Sequence, residues 1–335
     1  MSGSGPAAAA LSRRLVFVTG KGGTGKTTAA AALALAARRM GRATVACEVS
    51  GHTQVPRLLG SETAIATMSI DPRLALREWL SRLIGGPGAA LLTRPQTFGY
   101  FVAAAPGALE LITLGKAWDL TRADPRRHRE AFESVVLDGP STGQAEGMLR
   151  APSTYAALGR AGPVGVEAAQ LRDAVADPSS SAVVVTTLLT ELCVSETLEF
   201  AGRAEEIVGR RPDLVVVNQV LPDRFTALDL RRLRRAVDAA RDPTLDAAEQ
   251  VVQLACDRAR SQARQFERLR AGVSSPIVEL PFVAAGALGL RELTALSQLL
   301  WRPTYDWTGV RADRGRLRRF GPRPGRAGAC GAACR

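Results

Sequence analysis

Leu15-Val16-Phe17-Val18-Thr19, followed without a break by Gly20-Lys21-Gly22-Gly23-Thr24-Gly25-Lys26-Thr27, is the stretch that decides the fold. A short apolar run rich in β-branched residues leads into a glycine-rich turn. An alanine- and leucine-rich run, Lys26 to Met40, leads out of it. The turn matches G-x-x-x-x-G-K-[ST] in full, with a strand expected before it and a helix after it. In that arrangement backbone amides at a helix N-terminus cradle phosphate groups. Gly20, Gly22, Gly23, Thr24, Gly25, Lys26 and Thr27 are therefore candidate binding residues for a nucleoside triphosphate, ATP or a close relative. Lys26 is expected to reach its β- and γ-phosphates, and the Thr27 hydroxyl to bind Mg2+.

Outward from this loop, short β-branched runs recur between longer helical stretches. They fall at Leu15 to Thr19, Ala43 to Val49, Thr67 to Ile70, Ser134 to Leu137, Ala182 to Thr187, Leu214 to Asn218 and Ile277 to Leu280. The alternation predicts an α/β fold, a P-loop NTPase with a mostly parallel central sheet flanked by helices. Val183-Val184-Val185 and Val215-Val216-Val217 are apolar on both faces and belong to central strands. Helices are expected at Lys26 to Met40, Pro72 to Ile84, Glu191 to Ile207, Leu228 to Ala240 and Asp246 to Arg270. Arg231, Arg232, Arg234 and Arg235 alternate with Leu230 and Leu233 there, as on the solvated basic face of an amphipathic helix. Two gaps are too long for simple crossovers and predict an inserted helical subdomain, about 71–132 and 144–178. Gly85-Gly86-Pro87-Gly88 and Asp177-Pro178-Ser179-Ser180-Ser181 mark loops there. The expected organisation is a disordered N-terminus over 1–13, one domain over 14–300, and a basic, disordered tail over 301–335.

Composition narrows the class. With 335 residues and 46% hydrophobic content the chain can bury a sizeable core. Its apolar runs are far shorter than the roughly 20 residues of a membrane span, and Met1 to Leu11 lacks the pattern of a secretory signal. A cytoplasmic protein, not integral to the membrane, is expected. Five scattered cysteines suit reduced thiols better than a disulfide framework, and Cys330 and Cys334 form a C-x3-C pair with no second pair nearby. The formal net charge is +12, but the only lysines are Lys21, Lys26 and Lys116, so arginine dominates throughout. Arg302 to Arg335 alone holds nine arginines against Asp306 and Asp313. A solvated basic tail explains this more simply than a nucleic-acid site.

Lys21, directly after the first glycine, is not required by the generic motif. From the outer lip of the loop a cation there would meet phosphates bound by a second subunit, as an arginine finger does, or stand in solvent with no role. Lys21 to Thr28 resembles the deviant Walker A motif of the SIMIBI ATPases. These include division-site and partition ATPases, the nitrogenase iron protein, and the anion-transporting family of arsenical pump and guided-entry tail-anchored-protein ATPases. The resemblance implies a signature lysine acting across a nucleotide sandwich dimer, homodimeric or formed with a paralogous ATPase, and adds Thr28 to the binding residues. Val135-Val136-Leu137-Asp138-Gly139-Pro140-Ser141-Thr142-Gly143-Gln144 resembles the anion-transporting family's switch II. A carboxylate at a strand end beside this loop, Asp138, is placed to hold the water shell of Mg2+, or else caps a turn. Ile70-Asp71-Pro72, Ala75-Leu76-Arg77-Glu78 and Ala105-Pro106-Gly107-Ala108-Leu109-Glu110 extend the likeness. Val217-Asn218-Gln219-Val220-Leu221-Pro222 resembles the segment whose asparagine recognises adenine, and Leu280-Pro281-Phe282 the loop flanking the base. This makes Asn218 and Pro281 binding candidates, with a turn-forming role the alternative for Asn218.

The pattern also breaks. Where the guided-entry and arsenical enzymes carry Asp-Pro-x-His, this chain reads Glu48-Val49-Ser50-Gly51-His52, so the water-positioning aspartate falls on Val49 and the only carboxylate is Glu48. Alternation along a strand points the two side chains to opposite faces, so Glu48 does not trivially replace the aspartate. Lys21, Lys26, Glu48 and Asp138 are the catalytic candidates, and Thr27 and Asp138 the metal candidates. No cysteine lies between Glu48 and Leu192, which argues against a metalloid site. The methionines are Met1, Met40, Met68 and Met148, too few for a methionine-rich client groove. Gly85 to Trp118 and Ala151 to Ala176 within the insertions are where a protein client or membrane partner would dock; Phe98, Tyr100, Phe101 and Val102 cluster there, although core packing is the simpler reading of those four. The expectation is an Mg-ATP-dependent ATPase acting as a dimeric switch. Two alternatives stay open: a partition-type ATPase that binds DNA, and a non-hydrolysing subunit of a heterodimer.

Overall fold

Seven runs dominated by valine, leucine and alanine form the strands β1 (Leu15–Gly20), β2 (Thr44–Val49), β3 (Ala66–Ile70), β4 (Ser134–Asp138), β5 (Ser181–Leu188), β6 (Leu214–Val220) and β7 (Ile277–Pro281). In the computed structural model they make one sheet in the order β3-β2-β4-β1-β5-β6-β7, every pair parallel. The structure describes residues 5, 7–49, 53–84, 103–123, 130–159, 162–222, 224–240, 242–284 and 288–301. His52, the Gly85 to Gly88 turn, the aromatic cluster at 98–102 and the tail with Cys330 and Cys334 lie outside these residues. All seven strands fall where the sequence places them, within two residues at each end.

The central position of β1 follows from its sequence, since all six of its residues are buried between β4 and β5. Its odd and even side chains feed two separate cores. Val16 and Val18 join Ala46, Val136, Ala182 and Val184 on one face, under α2 (Lys26–Arg39). Ala29 to Ala37 of α2 are buried all round, the state of a helix with no polar face. Small alanine side chains let it lie flat on the sheet, and Leu293, Leu296 and Leu300 from the last helix close the layer.

Leu15 and Phe17 face the other way, into a core shared with Val45, Cys47, Val135, Leu137, Val183 and Val185. Covering it are α4 (Pro72–Ile84), α5 (Ala108–Asp119), α6 (Thr142–Leu158), α7 (Pro163–Ala176) and α8 (Glu191–Val208). The apolar sides of these helices merge with the core of the sheet. A third, smaller cluster joins Val215 and Val217 to Val194 and to Leu269 of the long helix α10 (Pro243–Gly272). Its partner α9 (Ala227–Ala240) packs on α10 and buries Val237.

One expectation is corrected. The N-terminus is not disordered throughout 1–13: Ala8–Leu11 form a helical turn, α1, with Ala7, Ala10 and Leu11 buried. Its apolar residues pack against α2 and β5, and the Arg42 guanidinium donates to the carbonyls of Leu11 and Arg13. An alanine-rich run has helix propensity, and here it has an apolar surface to cover. Among the described residues the remaining helices are α3 (Gln54–Leu59), followed by a 3-10 turn at Ser61–Thr63, and α11 (Leu290–Trp301).

Candidate functional site

The glycine-rich turn leaves the C-terminal end of the central strand and enters α2, so first-turn amides of that helix open onto the top of the sheet. Glycine is required at its two ends for different reasons. A Cβ on Gly20 would lie 2.1 Å from the Thr186 carbonyl oxygen, because β1 and β5 run side by side there. Gly25 adopts φ +88°, and a Cβ on it would lie 2.1 Å from Nδ2 of Asn218. Gly22 and Gly23 are exposed, and a Cβ on either would meet nothing within 4 Å. The turn is therefore tight against the protein at its ends and open to a ligand at its crest.

Inside the turn, Thr24 is fully buried and its hydroxyl donates to the Lys21 carbonyl at 2.8 Å. Lys26 reaches back across the crest, its ammonium 3.4 Å from the same carbonyl. Burial pulls that ammonium below the usual lysine range, partly offset by the Asp138 carboxylate. A desolvated cation over an open ring of amides suits a polyanion. Thr27 donates from Oγ1 to Oδ2 of Asp138 at 2.7 Å, which joins the first turn of α2 to the end of β4. A hydroxyl and a carboxylate at this spacing are hard oxygen donors of the kind Mg2+ takes alongside phosphate oxygens. The donor set fits: Thr27 and Asp138 would hold Mg2+, and the amides with Lys26 would hold the phosphates. Thr28 is half-buried in the same helical turn.

The strand end is fastened on both sides of Asp138. Thr19 donates to the Pro140 carbonyl at 2.8 Å, and the Gly139 amide donates to the Val18 carbonyl at 2.8 Å. Glu48 lies directly across from Asp138 in the β2–β4 register, and parallel partners in register share a face. That face is the α2 side. Val49 points the other way and packs against the opposite core. The side-chain parity that makes Glu48 a poor replacement for an aspartate at position 49 thus places Glu48, and not Val49, beside the magnesium candidates. Glu48 is 2% exposed: its Oε1 accepts the Val55 amide, and its Oε2 has no hydrogen-bond partner among the described residues.

Lys21 stands on the outer lip, and its ammonium is held by Glu196 of α8, both side chains about a third exposed. Asn218 lies against the phosphate loop. It is buried at the end of β6, Nδ2 donating to the Thr24 carbonyl at 2.9 Å and Oδ1 accepting the Gln219 amide at 2.9 Å. In this conformation the side chain expected to read adenine braces the phosphate loop. Its aim comes from a break in the β6–β7 register between Val217 and Val220, where Gln219 takes φ +56°. Pro281 pairs with Val220 in register and is followed by an exposed Phe282.

Residues 15–275 match the CobQ/CobB/MinD/ParA nucleotide binding domain. The chain belongs to that family. Among curated relatives, the ATPase BagA of Mycobacterium tuberculosis is 30% identical over 237 residues, covering 65% of this chain and 68% of BagA. An uncharacterized protein of Streptomyces coelicolor is 32% identical over 208 residues, covering 60% of this chain and 53% of that protein. As a MinD/ParA-type nucleotide-binding ATPase domain, the chain carries its P-loop at the position the fold dictates. The site also contains residues that sequence reading did not single out. Glu196 is one of five glutamates on α8 and lies 175 positions from Lys21, so no local spacing marks it. Gly139 was visible only as part of the Asp-Gly-Pro run. Among the described residues no group of three or more His, Cys, Asp or Glu is placed to hold a metal ion. Cys47 is deep in the sheet, where burial pushes its thiol up to about 12, so it is no nucleophile. No described helix is long and apolar enough to cross a membrane.

Proposed function

We propose that this protein is an Mg-ATP-dependent ATPase of the anion-transporting type, a cytoplasmic dimeric switch that closes on ATP and opens after hydrolysis. The observation that carries this reading is the division of labour between two lysines. Lys26 lies over the phosphate cradle, whereas Lys21 stands outside it, held at the surface by Glu196. A cation so placed adds nothing to its own cradle, but is available to phosphates presented by a second subunit, another copy or a paralogue. Thr27 and Asp138 hold Mg2+ in this reading, and Gly20 to Thr28 hold the phosphates. The buried carboxylate of Glu48 supplies, from position 48, the water-positioning group that position 49 lacks. Asn218 and Pro281 flank the base. The client is a protein or a membrane surface.

The test is steady-state ATP hydrolysis over a range of protein concentrations, with Lys21→Ala and Lys26→Ala. The expected result is a per-chain rate that climbs with concentration and is lost in both variants. Nucleotide binding without a rate above the Lys26→Ala background would reject the self-sufficient enzyme, in favour of a non-hydrolysing subunit that needs a partner.

A partition-type role has one observation of its own. Arg231, Arg232, Arg234 and Arg235 of α9 are exposed and in no ion pair among the described residues. That reading requires ATP-dependent retention of DNA that weakens steeply with salt. The switch proposed here predicts none.

A further inference from the structure

We propose that Gln262, on α10, is a positioning residue for the nucleotide: it fixes the loop after β6 and, through Asn218, couples α10 to the phosphate loop. The inference rests on reading Gly20 to Thr27 as the nucleotide site. Gln262 grips the loop at two points, its Oε1 accepting the Leu221 amide at 2.8 Å and its Nε2 donating to the Gln219 carbonyl at 3.1 Å. Between those points the backbone is in a form it would not choose alone. Gln219, with φ +56°, has a side chain in the left-handed region, which persists only where its surroundings over-determine it. One bond over, the Gln219 amide is accepted by Asn218, whose other end holds the Thr24 carbonyl of the phosphate loop. The hydrogen-bonded path from α10 to the loop is therefore continuous: Gln262, Gln219, Asn218, Thr24.

The chemistry requires an amide at 262. Only a group with one donor and one acceptor satisfies a carbonyl and an N–H at once. Glutamate keeps the acceptor, loses the donor and sets a carboxylate against the Gln219 carbonyl. Gln262 is only half-buried, so its bonds contribute little to folding and their effect falls on the shape of the loop. The same helix reaches the other side of the site. Arg268, six residues on and about 9 Å along the axis, donates to Ser195 Oγ at 2.9 Å, next to the Glu196 that holds Lys21. Away from the site, α10 runs on as the helix on which α9 packs, and of its first twenty residues only Cys256 is buried. Whatever displaces that outer half alters the loop, and nucleotide binding acts back on α10 to the same degree.

The experiment measures Mg-ATP and Mg-ADP affinity of the full chain by displacement of a fluorescent ATP analogue, together with kcat at saturation and melting without nucleotide. The variants are Gln262→Ala, Gln262→Glu, Asn218→Ala, the double variant Gln262→Ala with Asn218→Ala, and Gln253→Ala as a control on the same helix. Gln262→Ala is expected to weaken both nucleotides about tenfold, Gln262→Glu by at least as much, with kcat and the melting temperature close to wild type. In the Asn218→Ala background, Gln262→Ala is expected to add nothing, the signature of a shared path. Gln262 variants within twofold of wild type, effects that add fully, or an equal loss in Gln253→Ala would overturn the proposal while leaving the nucleotide site intact. Failure of the unaltered chain to bind ATP would overturn both. Should Asn218→Ala not fold, hydrogen exchange decides: nucleotide is expected to slow exchange around 253–262 in the wild type and not in Gln262→Ala, and equal slowing in the two rejects the coupling.

Discussion

A methyl group at Gly139 has nowhere to go. Its Cβ would lie 2.7 Å from the Val18 carbonyl oxygen and 2.9 Å from Cε2 of Phe17, a ring buried in the core on one face of the sheet. Gly139→Ala is expected to cost about 1–3 kcal/mol of stability as an overpacked site. It should also displace Asp138 and so weaken the magnesium-dependent part of nucleotide binding. Gly147→Ala, where a Cβ meets nothing within 4 Å in the middle of α6, should instead stabilise by up to about 1 kcal/mol. Urea melts of the two variants read the contrast directly, and equal shifts would mean that the close approach of β4 to β1 is not what constrains Gly139. Glu48 raises a different question, because one carboxylate oxygen is used by Val55 and the other by no described residue. Glu48→Gln keeps an acceptor for the Val55 amide and removes the charge. Hydrolysis is expected to fall by about 10²-fold, with ATP affinity within a few-fold of wild type. A glutamine variant as fast as wild type would reduce Glu48 to a cap for α3.

At the scale of elements, β7 carries a carboxylate, Glu279, away from the phosphate loop. Glu279 pairs with Val217 in register and is substantially buried, which pushes its pKa from 4.5 to about 7. A carboxyl whose folded pKa is raised contributes stability that is fully present below the unfolded value and lost as pH rises through the folded one. Stability should therefore decline between about pH 4.5 and pH 7, by on the order of 1–2 kcal/mol once screening of a partly exposed group is allowed for. Glu279→Gln should flatten that segment of the pH–stability curve, and an unchanged slope would assign the decline to other groups. The strands themselves were legible because β-branched runs between turn residues have few other uses. The phosphate loop was legible because glycine spacing, lysine and hydroxyl are dictated by the anion. The helices α5, α6 and α7 were expected only as unspecified helices, since their alanine, glycine and leucine residues give low contrast between faces. That Asn218 braces the phosphate loop was not legible, because the irregularity between Val217 and Val220 leaves no mark in the letters. That Glu48 lies across from Asp138 was not legible either, because side-chain parity within one strand does not say which strand is its neighbour or in what register. Contacts such as Lys21 with Glu196, made across 175 positions, lie beyond local reading altogether.

For the whole molecule, the site is assembled from β1, β4, β6 and α2, so a nucleotide touching all four should stabilise the domain as one unit. At about one hundred times its Kd, Mg-ATP should add roughly 2.7 kcal/mol, or roughly 4–5 °C in melting temperature for a domain of this size. Lys26→Ala should lose most of that shift. Asp138→Asn should respond to Mg-ATP no more than the wild type responds to ATP with a chelator. Lys21→Ala separates the dimer from the site. Its bond to Glu196 is a partly exposed ion pair, worth about 1 kcal/mol or less, so the nucleotide-free protein should melt almost as the wild type does. With ATP the wild type should grow more stable as protein concentration rises, because closing two subunits adds a mass-action term, and Lys21→Ala should show the nucleotide shift without that dependence. A variant that loses both together would place Lys21 in its own subunit's cradle and remove the reason for a dimer. A variant that keeps both would leave the lysine with Glu196 alone.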